Sequence, residues 1–196
     1  MKKIFLFFML SSAFLNAQNE EAAFSKSYAF EYDAQYSKAI SSLLELNSNA
    51  YQVNLRLGWL YFLSKDYTAS ESYYKKAIVL EQSSIEARFG IVLPMSAQGN
   101  WNNVLSTYMD ILKLDANNSI ANYRIAVIYY NRKDYANSSL YINKVIKMYP
   151  FDYDSNLMLG KIYIAQAKNA EAKKHIIIAL EYNPQSEEAK TLLKKL

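Results

Sequence analysis

The side chains able to do chemistry in this 196-residue chain are few, and their spacing gives them little to work with. One histidine is present, His175, and no cysteine. A lone imidazole without thiolates leaves a transition-metal site short of ligands, and the missing thiol excludes disulfides, zinc–thiolate centres, iron–sulfur clusters and thiol nucleophiles. Carboxylates occur close together as Glu20-Glu21, Asp152-Asp154 and Glu187-Glu188. Such pairs serve as general acid and base when a nucleophile or a water is held between them. Here each lies at the expected start of a helix, where negative charge complements the helix dipole, and no nucleophile and base accompany it. Gly58, Gly90, Gly99 and Gly160 are too dispersed to form a phosphate-cradling loop. His175 falls in a slot held elsewhere by Tyr73, Thr107 and Tyr141, so it reads as a half-exposed structural residue. Catalysis is not expected, and no cofactor or metal is implied.

The slot shared by those residues belongs to a period that governs the chain. Tyr67, Trp101 and Tyr135 recur at a constant step of 34, and Asn169 holds the next place. Ala77, Ile111, Val145 and Ala179 recur at the same interval, as do Tyr74, Tyr108, Ile142 and Ile176, and Leu80, Leu114, Met148 and Tyr182. Pro150 and Pro184 follow the same step. A period of this length marks a stacked-repeat architecture. Four Gly and three Pro in all, with 52% apolar residues, favour helices over a many-turned β fold. Within one unit, Val53, Leu57, Leu60 and Tyr61 have helical spacing, Ser64-Lys65-Asp66 breaks the run, and Tyr67, Ser70, Tyr74, Ala77 and Leu80 mark one face of a second helix. Asp66, Asn100 and Asp134 are the expected N-caps of second helices. First helices are expected to start on Ser83 (with Glu86 as a capping box), Asn118 or Ser119, Asp152 and Ser186.

These columns resemble the tetratricopeptide repeat family. Its pattern appears as Leu57-Gly58, Tyr61, Tyr67, Tyr74 and Ala77, again as Ile125-Ala126, Tyr129, Tyr135, Ser138, Val145 and Pro150, and as Leu159-Gly160, Tyr163, Ala172, Ala179 and Pro184. The resemblance implies an all-α chain: an α-solenoid, a right-handed superhelix of about five helix-turn-helix repeats over 20–50, 51–84, 85–118, 119–152 and 153–186, with a capping helix over 185–196. Small residues at Gly58, Ala126, Gly160, Ser70, Ser138 and Ala172 let paired helices approach. Two departures stand out. In the third unit Val92 replaces the small residue and Pro94 interrupts the first helix, with Gly90 expected to relieve the strain; the bend is either a tolerated kink or a reorientation of the binding surface. In the fifth, Ile177 and Ile178 replace polar pairs such as Lys75-Lys76, which leaves both cover by the C-terminal helix and self-association open.

In the family, first helices line the concave surface. The equivalent positions here are Phe24, Tyr28, Tyr32, Leu55, Trp59, Phe62, Leu63, Phe89, Leu93, Tyr123, Val127, Tyr130, Leu157 and Ile164. The fold itself does not require aromatic residues at these places, so the stripe is a candidate groove for a protein or peptide segment. Lys161 is the isolated cation of this face, and no carboxylate-clamping set accompanies it.

The N-terminal segment 1–17 reads separately. Lys2 and Lys3 precede the apolar run from Ile4 to Leu10, which resumes at Ala13-Phe14-Leu15 and ends at Ala17 before Gln18-Asn19-Glu20-Glu21. That is the layout of a secretory signal peptide, and it is too short for the roughly 20 apolar residues of a membrane-spanning helix. An uncleaved anchor is the alternative. Removal of Lys2 and Lys3 lowers the formal charge from +4 to about +2, and the remaining basic residues are scattered, so no nucleic-acid partner is expected. No cysteine is available for lipidation. The chain therefore reads as an exported scaffold, periplasmic or secreted in a bacterial envelope, without a transmembrane segment after signal cleavage. The alternative is a homo-oligomeric structural subunit of an envelope assembly.

Overall fold

The first helices of successive repeats end where one residue turns left-handed, and most helices begin where a short polar side chain takes up a free backbone N–H. The structure, a computed structural model, describes residues 18–196; the expected signal peptide lies outside the described residues. Among the described residues there are eleven helices and no strand: α1 (18–32), α2 (Tyr36–Leu44), α3 (Tyr51–Leu63), α4 (Tyr67–Leu80), α5 (Ile85–Ala97), α6 (Trp101–Leu114), α7 (Ser119–Asn131), α8 (Tyr135–Met148), α9 (Tyr153–Ala165), α10 (Asn169–Tyr182) and α11 (Glu187–Lys194).

Lys65, Gly99, Lys133 and Ala167, one in each successive repeat at the same step, all have φ between 58° and 73°. The residue after each donates its N–H five residues back, Asp66 to Tyr61, Asn100 to Met95, Asp134 to Tyr129 and Lys168 to Tyr163, every bond 2.9 Å long. This closure satisfies the last carbonyls of each first helix. Asp66 and Asp134 then cap the next helix, accepting from the N–H of Ala69 and Asn137. Asn118, Asp152 and Ser186 cap α7, α9 and α11. The cap of α5 is Ser84, which accepts from Ala87, and not Ser83. Glu86 then sits one place too early in the helix for the expected capping box.

The chain divides into two compact units, one ending at Asn100 and the other running from Trp101 to Leu196. The division falls between the two helices of the expected third repeat. In the first unit, Ala39, Ile40 and Leu43 of α2 pack against Val53, Leu57 and Leu60 of α3, with Phe24 and Phe30 of α1 and Tyr73 of α4 at the margin. Ser70 Oγ donates to the Gly58 carbonyl at 2.7 Å. The ring of Tyr74, 3% exposed, lies between α3 and α5. A Cβ on Gly58 would fall 2.8 Å from its Cγ, and one on Gly90 only 2.2 Å from its Cε1. Gly90 is therefore set by the close approach of Tyr74 rather than by Pro94, which lies buried inside a continuous α5.

The second unit repeats the scheme. Ala126, Ile142, Met158, Leu159 and Ile162 form one cluster, and Leu157, Ile176, Ala179 and Ala189 another. Ser138 Oγ donates to the Ala126 carbonyl at 2.8 Å. Buried asparagines tie the starts of first helices to the backbone before them: Asn122 Nδ2 donates to the Asn118 carbonyl and Asn156 Nδ2 to those of Pro150 and Asp152, each at 2.9 Å. Asn54 does the same in the first unit.

Candidate functional site

The first unit presents the sequence-derived aromatic set on α1, α3 and α5. Tyr28 is 56% exposed and Tyr32 92%, while Phe24, Leu55, Trp59, Phe62, Leu63 and Phe89 are half-buried and Leu93 stands at the surface. Two polar residues that the periodic reading passed over hold this set in place. Glu31 on α1 accepts a 2.7 Å hydrogen bond from the Trp59 indole and pairs through its other oxygen with Arg56 on α3. The Arg56 guanidinium lies 3.8 Å from the centre of the Tyr28 ring, a cation–π contact. Arg56 is 8% exposed, so the pair is largely desolvated, and each partner is needed to offset the burial of the other. The sequence did carry a signal: Arg56 is a single charge inside an otherwise apolar helix face. Trp59 continues into Phe62 at 5.9 Å, and Phe62 into Tyr67 at 5.9 Å, which fixes the orientation of the rings.

In the second unit, Tyr123, Val127 and Tyr130 are half-buried against the cluster around Ile142 and Leu159. Leu157 departs from its expected place. It is 5% exposed and packed with Ile176, Ala179 and Ala189, beside Leu192, Leu193 and Leu196. Ile164 meets the same cluster and is half-buried. The reason is α11, which lies where the first helix of a further repeat would lie and covers the face of α9. Lys161, isolated in the sequence reading, forms an ion pair with Glu188 of α11. Ile177 remains 39% exposed outside this cover.

His175 takes the place of a tyrosine in a repeated ring pair. Tyr61 stacks on Tyr73 at 5.2 Å, Tyr129 on Tyr141 at 5.8 Å, and Tyr163 meets His175 at 5.7 Å. Its Nδ1 lies 2.9 Å from Asn156 Oδ1, which as an acceptor selects the Nδ1–H form. Burial, reinforced by Lys174, holds the imidazole below its usual pKa. Among the described residues, no three His, Asp or Glu side chains converge as a metal site would require, and no helix is long and apolar enough to cross a membrane.

The repeat geometry has its counterpart in a family comparison. The tetratricopeptide repeat model matches residues 51–83, 120–152 and 153–186. The chain belongs to the tetratricopeptide repeat family. The stretch that this repeat model passes over between 83 and 120 contains Val92 and Pro94, the departures from its pattern. Solved structures share the tetratricopeptide fold at low identity. A structure of MamA is 18% identical with a TM-score of 0.72, covering 84% of this chain and 92% of that one. A tetratricopeptide repeat protein from Parabacteroides merdae ATCC 43184 is 15% identical with a TM-score of 0.79, covering 91% of this chain and 72% of that one. YrrB, described as a TPR protein with an unusual peptide-binding site, is 15% identical with a TM-score of 0.72, covering 95% and 97%. No curated protein matches the sequence significantly. Tetratricopeptide repeats are in general non-catalytic scaffolds for protein–protein interaction.

Proposed function

We propose that this tetratricopeptide protein is an exported, non-catalytic scaffold that binds a protein or peptide segment through apolar and aromatic contacts on its first helices. The observation that carries the reading is the Tyr28–Arg56–Glu31–Trp59 arrangement beside the exposed Tyr32. An indole already held by a hydrogen bond loses little conformational freedom when a partner covers it, and Trp and Tyr dominate binding hot spots for that reason. Phe62 and Leu93 extend the surface in the first unit, and Tyr123, Val127 and Tyr130 offer a second one on α7. Site-specific photo-crosslinking in envelope fractions tests this. A crosslinker at Tyr32 is expected to capture discrete partners that one at Val79, 73% exposed on α4, does not; identical products from both positions would refute the surface.

Export rests on the basic start, apolar run and Ala17 of the N-terminal segment 1–17. Mass spectrometry of the protein from cells is expected to find a chain starting near Gln18, and an intact Met1 would sink cleavage. A second reading, a self-associating envelope subunit, draws on Ile177, which α11 leaves 39% exposed. Light scattering decides it: a concentration-dependent rise in mass that Ile177→Lys abolishes supports self-association, and a constant monomer mass removes it.

A further inference from the structure

Signal cleavage after Ala17 leaves Gln18 as the first residue of the mature chain. Ala17 is the small residue that such a cut requires, and its neighbours Leu15, Asn16, Gln18 and Asn19 are not small. Of the amide side chains, only glutamine is long enough to bring its amide carbon to its own free α-amine in an unstrained ring; in asparagine the ring is one atom smaller. Gln18 and Asn19 are exposed at the start of α1, so ring closure there displaces no packed residue. The helix is held just behind them: Glu20 Oε1 accepts from Gln52 Nε2 of α3 at 3.0 Å, and Ala23 is buried. Charge favours closure as well. A free α-ammonium on Gln18 would stand at the positive end of the α1 dipole, which prefers the carboxylates of Glu20 and Glu21. A neutral lactam removes that repulsion and leaves both carboxylates in place.

We infer that Gln18 is a modification site and that the mature protein begins with pyroglutamate. The α-amine nitrogen of Gln18 bonds to Cδ, the Cδ–Nε2 bond breaks, and a proton passes from the amine to the leaving nitrogen, which departs as ammonia. The side-chain carbonyl oxygen stays, nothing is oxidised or reduced, and no co-reactant is needed; a glutaminyl cyclase only speeds the step. The product lacks the α-ammonium that aminopeptidases recognise, so the chain is closed to digestion from this end. The inference rests on the export reading, and it adds the chemical state in which the exported chain persists.

Protein isolated from fresh envelope fractions tests this. Intact mass spectrometry is expected to find residues 18–196 lighter by one ammonia. Stepwise N-terminal degradation should be blocked, and a pyroglutamyl aminopeptidase should release the block so that the readout starts at Asn19-Glu20-Glu21. Gln18→Asn, which keeps an amide but cannot close an unstrained ring, should give an unblocked chain that retains its ammonia. A wild-type chain that starts at Gln18 with its ammonia retained overturns the modification and leaves export intact, and so does a mature chain starting at any other internal residue. A block that persists in the Gln18→Asn protein points to acylation and overturns the lactam. Closure that builds up only while the purified protein is stored overturns it as a modification of the cellular protein. An intact Met1 overturns both readings.

Discussion

Gly90→Ala is the sharpest test of how the first unit is packed. On helix propensity alone the substitution should stabilise α5 by about 0.8–1 kcal/mol. The structure opposes this, because the added methyl would sit 2.2 Å from Cε1 and 2.6 Å from Cζ of Tyr74, more than an ångström inside ordinary contact. The ring has no free space to retreat into: it is 3% exposed, and its other side faces Gly58, where a Cβ would already be 2.8 Å away. Relief therefore requires α5 to move from α4 or Tyr74 to leave its rotamer. Overpacking of a tight core costs about 1–3 kcal/mol and sometimes more, and a contact this short belongs at the top of that range. After the propensity gain, a net loss of about 2 kcal/mol remains, which lowers the melting temperature by about 4–8 °C for a chain of this size. Thermal unfolding of the full chain followed by circular dichroism measures it. In a Tyr74→Leu background the same substitution should become neutral or stabilising, since the opposing ring is gone. A Gly90→Ala protein that melts at or above the wild-type temperature would refute the reasoning, and so would a loss that persists without the tyrosine.

Ala167 has φ 58° with no polar side chain to support that conformation, so Ala167→Gly should raise stability by about 1 kcal/mol in urea unfolding; an unchanged or lower midpoint would contradict it. Hydrogen bonds from the Asn137 side chain and backbone hold the Asp134 carboxyl below its ordinary pKa. Its stabilising contribution is therefore full above about pH 4 and is lost as pH falls through the lower folded value, and Asp134→Asn, which still caps, should flatten the acid limb of the melting profile. For His175 the folded pKa is lowered by burial and then by Lys174, so its contribution is full above about 6.5 and declines as pH drops below that. A proton NMR titration should give a midpoint under about 6.5, and one at or above it would show the ring to be solvated. Leu192→Asp places a charge against the Leu157–Ile176–Ala189 cluster and should destabilise the second unit by about 2 kcal/mol, seen as earlier loss of hydrogen-exchange protection in α9 and α10.

Helix starts were legible because each one is written locally. The caps Asp66, Asp134, Asp152 and Ser186 act on backbone groups within the first turn of the helix that follows, and the small residues at Ser70 and Ser138 fall where paired helices touch. Ser83 was one position off because adjacent serines offer the same capping chemistry, and only the backbone path selects Ser84. The aromatic stripe on the first helices was legible as a set of residues, although Phe24, Trp59, Tyr123 and Tyr130 pack partly against the core clusters. Its anchor was not, since the Glu31–Arg56 pair joins two helices that are not neighbours in sequence. Leu157 was misplaced because a positional rule copied from repeat to repeat takes no account of where the array stops and α11 covers the last face.

What the chain determines by itself is the periodic part: helices, turns and caps depend on residue type within a few positions, and each recurrence of the period repeats the same local instruction. What tertiary structure decides is which members of a column are set apart. Gly90 and Gly99 are alike in the sequence, yet the first is required by a ring from another helix and the second by its own left-handed turn. Asp152 and Glu187 both stand at helix starts, but the path of the turn before α9 brings Asp152 into one cleft with Asp154, Tyr123 and Tyr149. Packing and charge act through space, and distances through space are fixed only when the helices have been placed against one another.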